Sequence, residues 1–136
     1  MSLFDTLRVA GSGLTAERLR MDVAASNIAN ADTTGTASSG PYQPEAVVFT
    51  PYQVGTDPAA HGVMAAAIVS PTPATRQTYD PGNPAANAQG YVAAPAVDVA
   101  AQMADLLGAS RSFQLDATVA QAAKQSALDA LDLGQA

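Results

Sequence analysis

Apolar side chains recur every seven residues near the start of the chain, a spacing that returns to one face of an α-helix after two turns. The repeating residues are Leu7, Leu14, Met21 and Ile28. Ser2, followed three residues later by Asp5, is typical of a capping box that starts a helix. The pattern therefore predicts an amphipathic helix over residues 3–29, about 40 Å long.

A second seven-residue repeat of apolar side chains fills the C-terminal part of the chain. It consists of Val99, Leu106, Phe113, Ala120 and Ala127, flanked by Met103, Ala117 and Leu131 and widened by Leu107, Leu115, Val119 and Leu128. Asp98 precedes the repeat and is a good N-cap residue. We expect a helix of about 36 residues, ending near residue 133 and spanning about 54 Å. Most of such a helix must pack on the N-terminal helix or on other chains.

The middle of the chain differs from both ends in its proline content. All nine prolines lie between Pro41 and Pro95, and proline disfavours the interior of a helix. Short apolar runs between turn residues predict β-strands, at residues 46–50, 63–70, 77–79 and 91–93. The chain is thus expected to divide into an N-terminal helical arm (1–35), a small β or irregular domain (36–95) and a long C-terminal helix (96–136).

These elements predict an α+β fold. The two long helices pack together as a coiled-coil-like core domain, and the small antiparallel β domain is inserted between them. Aromatic residues make up only 5% of the chain, which argues against a large core built on bulky side chains. The middle segment, of about 55 residues, would be marginally stable alone.

An asparagine-rich stretch, residues 23–35, ends the first helix. Asn27 and Asn30 lie one turn apart, and Asp32 opens a run of polar and glycine residues directly after them. These residue types prefer caps and turns because their side chains bond nearby backbone groups. Residues 36–40 are expected to form a loop.

The first helix is interrupted by Gly11-Ser12-Gly13. Each glycine inside a helix costs about 1 kcal/mol relative to alanine. One interpretation is a tolerated weak spot or kink. The other is a close approach of a second helix, at a place where a Cβ atom would clash.

The charge and composition disfavour several functions. The net charge is −6, and the six basic residues are scattered singly, so nucleic-acid binding is not expected. No apolar run approaches the roughly 20 residues that span a bilayer. The N-terminus lacks the basic and apolar regions of a conventional signal peptide. The chain has no cysteine, which excludes disulfides and thiolate metal sites.

No catalytic, cofactor or metal site is indicated by the sequence. His61 is the only histidine and lies in a Pro/Ala/Gly-rich stretch, where solvent exposure is expected. The aspartates of the C-terminal helix are spread along its length, which is typical of a solvent-exposed helix face or of residues that contact another subunit. Arg111, between two serines amid apolar turns, either extends its charge to solvent or binds carboxylates or carbonyls of a neighbouring subunit.

Several stretches resemble bacterial flagellar axial proteins. Residues 1–35 are similar to the N-terminus of that group and carry its asparagine-rich motif, SNIANADT. The stretches YDPGNPAANAQGYV and PAVDVAAQMADLLGASRSFQ, with the ending LDLGQ, narrow the resemblance to the flagellar basal-body rod protein C family of short proximal-rod subunits. Gln102 and Phe113 stand where that family usually has Glu and Tyr.

The resemblance implies a structural protein rather than an enzyme, with no cofactor. In this family the two helices form the core domain in an inner tube, and the β domain lies outside it. Subunits pass unfolded through the flagellar type III export apparatus, without a conventional signal peptide. In the periplasm they assemble with copies of themselves and other rod subunits, next to further basal-body components, into a hollow rod that transmits torque.

The resemblance and the helix repeats together predict residues at contacts between subunits. The candidates are Leu7, Leu14, Met21, Asn27, Ile28, Asn30, Leu106, Arg111, Phe113, Leu128 and Leu131. For the two asparagines the competing interpretation is a helix C-cap alone. From the residues, two other classes stay open: a soluble helical adaptor or secretion chaperone that forms a discrete dimer, and a small hydrolase with an Asp-based site in the middle domain. The hydrolase is disfavoured because no base–nucleophile pair is apparent.

Overall fold

A computed structural model describes residues 2–35, 40–71 and 75–135. Two long helices enclose four strands in sequence, which confirms the α+β prediction. The elements are α1 (Leu3–Ala29), β1 (Ala46–Gln53), β2 (His61–Val69), β3 (Thr75–Tyr79), β4 (Tyr91–Pro95) and α2 (Val99–Gln135). Most of the loop predicted at 36–40 lies outside the described residues.

Helix α1 begins and ends at the residues that the sequence indicated. The Asp5 backbone N–H donates to the Ser2 hydroxyl (3.1 Å), and the Asp5 carboxylate accepts from the Ser2 backbone N–H (2.9 Å), which completes the capping box. Asn30 is the C-cap residue, and its side-chain amide donates to the carbonyl of Ser26 (2.9 Å). The Ser2 hydroxyl thus binds an N–H that the helix leaves unpaired, whereas the Asn30 amide adds a second bond to a carbonyl that already accepts the Asn30 backbone N–H (3.1 Å).

Helix α2 starts at the predicted cap and runs antiparallel to α1. The Asp98 carboxylate accepts from the backbone N–H of Ala101 (3.1 Å), as an N-cap side chain does. Asn27, near the end of α1, is bonded to Gln102, near the start of α2. α2 contains 37 residues and α1 contains 27. Asn27 and Gln102 lie side by side, so the extra residues of the longer helix lie at the opposite end of the pair. There α2 extends about 15 Å past the start of α1.

The glycines of the GSG stretch have different surroundings. A Cβ atom on Gly13 would clash with the carboxylate of Asp116 on α2, whereas a Cβ atom on Gly11 would meet nothing within 4 Å. The close-approach interpretation therefore holds at Gly13. Gly11 is a position where a side chain would fit.

The strands form two separate antiparallel ribbons, β1–β2 and β3–β4, rather than one sheet. β1 continues through Pro51 to Gln53, three residues past its predicted end. Pro51 pairs with Val63, whose backbone N–H donates to the Ser12 hydroxyl instead of to β1. Residues that face each other in an antiparallel pair exchange either two hydrogen bonds or none. Because the Val63 N–H points away from β1, this pair exchanges none, and proline is tolerated at position 51 of the ribbon.

The ribbon β1–β2 lies along α1. β2 begins at His61, two residues before its predicted start, and Gly62 in this strand is buried. A Cβ atom on Gly62 would lie 2.8 Å from the Ser12 hydroxyl oxygen, so glycine permits this approach. The buried apolar residues are mainly alanines and valines: Ala10, Ala16, Val23, Ala24, Ala31, Val54, Ala60, Val92, Ala94, Ala109 and Ala123. Small side chains bring the elements close together but leave most of the large apolar residues outside this core.

Candidate subunit interface

The predicted seam residues of the two helices are all partly buried in the single chain. This group comprises Leu7, Leu14, Met21 and Ile28 on α1, with Leu106 and Phe113 on α2. Each keeps some accessible surface within the single chain. Helices α1 and α2 do pack together, while the role of these residues at contacts between subunits stays a prediction.

The outward side of α2 carries large apolar side chains that the rest of the described chain does not cover. These residues are Met103, Leu107, Leu115 and Val119. Leu107 is 72% exposed and Leu115 is 59% exposed. Residues four apart lie next to one another on a helix surface, so Met103 with Leu107 and Leu115 with Val119 form two apolar pairs along one row, the outward patch. Contiguous exposed apolar surface of this kind marks an interaction site.

Arg111 lies in the middle of this outward patch. It is four residues from Leu107 on one side and four from Leu115 on the other, and its side chain is exposed. In the single chain the guanidinium thus reaches solvent, as the first interpretation states. A cation surrounded by exposed leucines is also placed to meet a carboxylate or carbonyl of a covering chain.

The last turns of α2 extend past the start of α1 and carry two more predicted contact residues. Leu128 and Leu131 are both exposed, the latter by 62%. Leu133, two residues further on, is 80% exposed. Because α2 continues here beyond the first residue of α1, no other helix of the described ranges lies beside this apolar surface.

Asn27 is the centre of a buried hydrogen-bond cluster. Its side-chain amide donates to the carbonyl of Glu45 (2.8 Å) and to the side-chain oxygen of Gln102 (3.0 Å). Its side-chain oxygen accepts from the Tyr42 hydroxyl (2.9 Å) and from the backbone N–H of Glu45 (2.9 Å). Asn27 is only 1% exposed. The residue therefore fastens the end of α1 to the segment before β1 and to the start of α2.

Both asparagines of the motif are hydrogen-bonded within their own chain. Two amide hydrogens and two oxygen lone pairs are the full capacity of an asparagine side chain, and Asn27 uses all four inside its own chain. Asn30 is also bonded locally, to Ser26 and, at 3.4 Å, to Thr33. In the folded single chain, Asn27 therefore has no side-chain donor or acceptor left for a direct bond to another subunit. Its predicted role in assembly would instead be indirect, through the segment that it holds.

Sequence reasoning missed the partners of Asn27. Tyr42 and Glu45 lie 15 and 18 residues away in the chain, and Gln102 lies 75 residues away. No periodicity connects such positions. Gln102, at the position where the family resemblance leads one to expect Glu, belongs to this cluster. Its side-chain oxygen accepts the amide of Asn27 without adding a negative charge beside Asp105.

Two ion pairs connect the helices and ribbons near this cluster. Arg20 on α1 is paired with Asp105 on α2, across the helix contact. Arg76 on β3 is paired with Asp32, in the turn after α1, at 2.8 Å. All four side chains are substantially exposed, and such pairs contribute about 0–1 kcal/mol each. Their contribution to the stability of the fold is therefore small.

The described residues contain no group of three or more His, Cys, Asp or Glu side chains that could hold a metal ion. Neither helix in the described ranges combines the length and apolarity that a membrane-spanning segment requires. His61 is exposed, as the sequence indicated, although it begins β2 rather than lying in a loop.

Two family models match the chain at its two ends. The model described as flagella basal body rod protein matches residues 7–35. The model described as flagellar basal body rod FlgEFG protein C-terminal matches residues 88–133. The matches therefore cover most of α1 at one end, and β4 with nearly all of α2 at the other.

Similar proteins align with nearly the whole chain. The flagellar basal-body rod protein FlgC of Escherichia coli O6:H1 is 42% identical over 99% of this chain and 100% of its own length. The corresponding protein of Salmonella typhimurium is 41% identical over the same shares, and that of Bacillus subtilis is 35% identical, again over 99% and 100%. Identity of this extent confirms the resemblance in the sequence motifs: the chain belongs to the flagellar basal-body rod protein FlgC family.

Proposed function

We propose that this protein is a subunit of the proximal rod, where it helps to form the hollow shaft that transmits motor torque. Membership of the family makes the chain a structural rod component of the flagellar basal body. The proposal adds the proximal position, the torque-bearing role and assembly with copies of itself and other rod subunits.

The observation that carries the proposal is the outward apolar patch of α2. An isolated globular chain seldom exposes several large apolar side chains along one side of a helix. Leu107, Leu115 and their neighbours lie on a regular helix that can pack against other helices. Covering this patch with neighbouring subunits removes it from water, which favours assembly.

Arg111 gives the same patch a polar contact. When a neighbouring helix covers Leu107 and Leu115, the guanidinium between them loses much of its water. It must then be paired, because an uncompensated charge in such a place is costly. We therefore assign Arg111 to a charge-assisted contact with a carboxylate or backbone carbonyl of the covering subunit.

The proposed site of assembly is the periplasm, and the proposed route is the flagellar type III export apparatus, without a conventional signal peptide. A chain with mostly small buried side chains and no disulfide to break suits passage in an unfolded state. The proposal includes contacts with other basal-body components around the rod and no contact with nucleic acid.

Imaging of purified basal bodies tests this function. We expect an averaged map to contain this chain in the proximal part of the rod, and we expect deletion of its gene to abolish motility. A deletion strain with complete rods would contradict the proposal. If the purified protein instead forms a dimer that does not grow under assembly conditions, as measured by light scattering, the adaptor alternative is favoured.

A further inference from the structure

A groove lies between α1 and the ribbon β1–β2, with a volume of about 440 Å³. Its α1 side is formed by Ser12, Thr15, Ala16 and Leu19, and its ribbon side by Tyr52, Val63, Met64 and Ala65. Most of these side chains present carbon to the groove. Tyr52 and Met64 are also exposed at its edge. The groove is thus suited to aliphatic side chains.

The end of α2 carries apolar side chains that fit such a groove. Leu128 and Leu131 are three residues apart and lie on one side of the helix, and both are exposed. They belong to the part of α2 that continues past the first turn of α1. A helix end with two adjacent leucines and no neighbour is a typical ligand for an apolar groove.

The end of α2 cannot reach the groove of its own chain. The groove begins at Ser12, more than two helical turns inside the start of α1, whereas residues 128–131 extend away from that start. The helix would have to break and reverse for the two to meet. We infer that the last turns of α2 dock in the groove between α1 and β1–β2 of a second copy of this chain.

Charges on the two surfaces complement each other. Asp129 and Asp132 are exposed beside the two leucines. Arg8 lies four residues before Ser12, and Arg18 lies three residues after Thr15. Both are exposed on α1, so they lie at the rim of the groove. Asp22, also exposed, lies one turn beyond Arg18, and Asp5 lies three residues before Arg8 and interacts with its charge. The attraction therefore comes from the two guanidinium groups at close range and not from a net positive charge of the rim.

This contact joins two different surfaces, so each bound copy leaves a free groove at one end and a free helix end at the other. A contact of this type produces an open chain of subunits unless its rotation closes a ring. The inference rests on the proposed function and deepens it, because it names the residues through which one copy of the subunit binds the next.

Cysteine cross-linking tests the inference, since the natural chain has no cysteine. Two single-cysteine chains, Thr15→Cys and Leu131→Cys, are produced together, and purified basal bodies are oxidised mildly. Both residues are exposed, so both variants should fold. A disulfide requires Cα atoms within about 7 Å. We expect a covalent dimer at ten times or more the yield of the control pair, Thr15→Cys with Leu115→Cys.

The outcomes separate the inference from the proposed function. Basal bodies that contain both chains but yield no dimer above the control would overturn the docking and leave the rod role intact. A third pair, Leu115→Cys with Leu131→Cys, tests the alternative. Preferential cross-linking of this pair would place the helix end on the outward patch and would overturn the docking in the groove. Basal bodies that lack the chain altogether would overturn both.

Discussion

The hydroxyl of Ser12 lies 3.1 Å from the backbone nitrogen of Val63 and accepts its hydrogen bond, which joins α1 to the strand β2. The same hydroxyl donates to the carbonyl of Val9 (2.7 Å). One residue later, Gly13 lies against Asp116 of α2. The interruption in the first helix is therefore the place where α1 meets its two neighbours, the ribbon on one side and α2 on the other.

The two glycines beside Ser12 should respond differently to alanine. Gly11→Ala adds a side chain to open space and removes a helix-destabilising residue, so we expect a gain of up to about 1 kcal/mol in the free energy of unfolding. Gly13→Ala makes the same gain but forces the Asp116 carboxylate to move. We expect it to be less stable than Gly11→Ala. Urea unfolding followed by circular dichroism measures both, and equal stabilities would contradict the close approach at Gly13.

Removing the Asn27 side chain should loosen the joint between the helices and the ribbon. Asn27→Ala removes the partners of the backbone carbonyl and N–H of Glu45, whereas the Tyr42 hydroxyl keeps the Ser26 hydroxyl at 3.3 Å. Loss of a partner costs up to about 1–3 kcal/mol where the group is buried. Asn30→Ala removes a partly exposed cap bond and should cost less. Urea unfolding of the two variants gives the comparison.

The same two variants test the asparagine motif in assembly. We expect the double variant to be exported normally and to form fewer rods, because the segment that Asn27 holds is displaced. Export is measured by the amount of subunit outside the cytoplasm, and assembly by motility and by counting rods in basal-body preparations. Normal motility of the double variant would leave the motif with a cap role alone.

The helices could be predicted closely from the sequence, whereas the cluster around Asn27 could not. Heptads and caps are local: Ser2, Asp5 and Asp98 act within three residues of their partners. Asn27 instead bonds groups 15 to 75 residues away, which only the folded chain brings together. Gly62 shows the same limit. It lies one residue before the predicted strand, yet it belongs to β2, where the absence of a side chain leaves room for the Ser12 hydroxyl.

A charge on the outward patch of α2 should prevent assembly without unfolding the chain. Leu115→Asp places a carboxylate among exposed apolar side chains, and burying it against another subunit is costly. Gln77→Asp adds the same charge at an exposed residue of β3, a strand that does not contact α2. We expect loss of motility for the first variant and near-normal motility for the second, with unchanged circular dichroism in both. Equal motility would argue against the patch as an interface.

The capping box should show a distinct pH dependence. Hydrogen bonds from the hydroxyl and backbone N–H of Ser2 lower the pKa of the Asp5 carboxyl. A lowered folded-state pKa gives stability that is present above the unfolded value of about 3.9 and is lost as the pH falls through the folded pKa. Ser2→Ala should raise the pKa of Asp5 towards its ordinary value. Carbon-13 NMR titration measures this pKa; Thr6→Ala, which leaves the Ser2–Asp5 bonds in place, is the control.

The isolated monomer should hold its two helices only loosely. Ordering the 27 residues of α1 and the 37 of α2 costs about 1–2 kcal/mol per residue in backbone entropy. The buried apolar groups that offset this cost are mainly alanines and valines, each of which removes little surface from water. In a rod, neighbouring subunits would also cover Leu107, Leu115 and Leu131, and the balance would change in favour of ordered helices.

Amide hydrogen exchange on the purified chain measures this directly. We expect weak protection over residues 5–28 and 100–130 in a sample whose monomeric state is verified by light scattering, and strong protection of the same residues in assembled rods. Substituting Leu106, a partly buried seam residue, by aspartate should abolish motility and leave exchange in the β1–β2 ribbon unchanged. Strong protection of both helices in the verified monomer would show that α1 and α2 stabilise each other without neighbouring subunits.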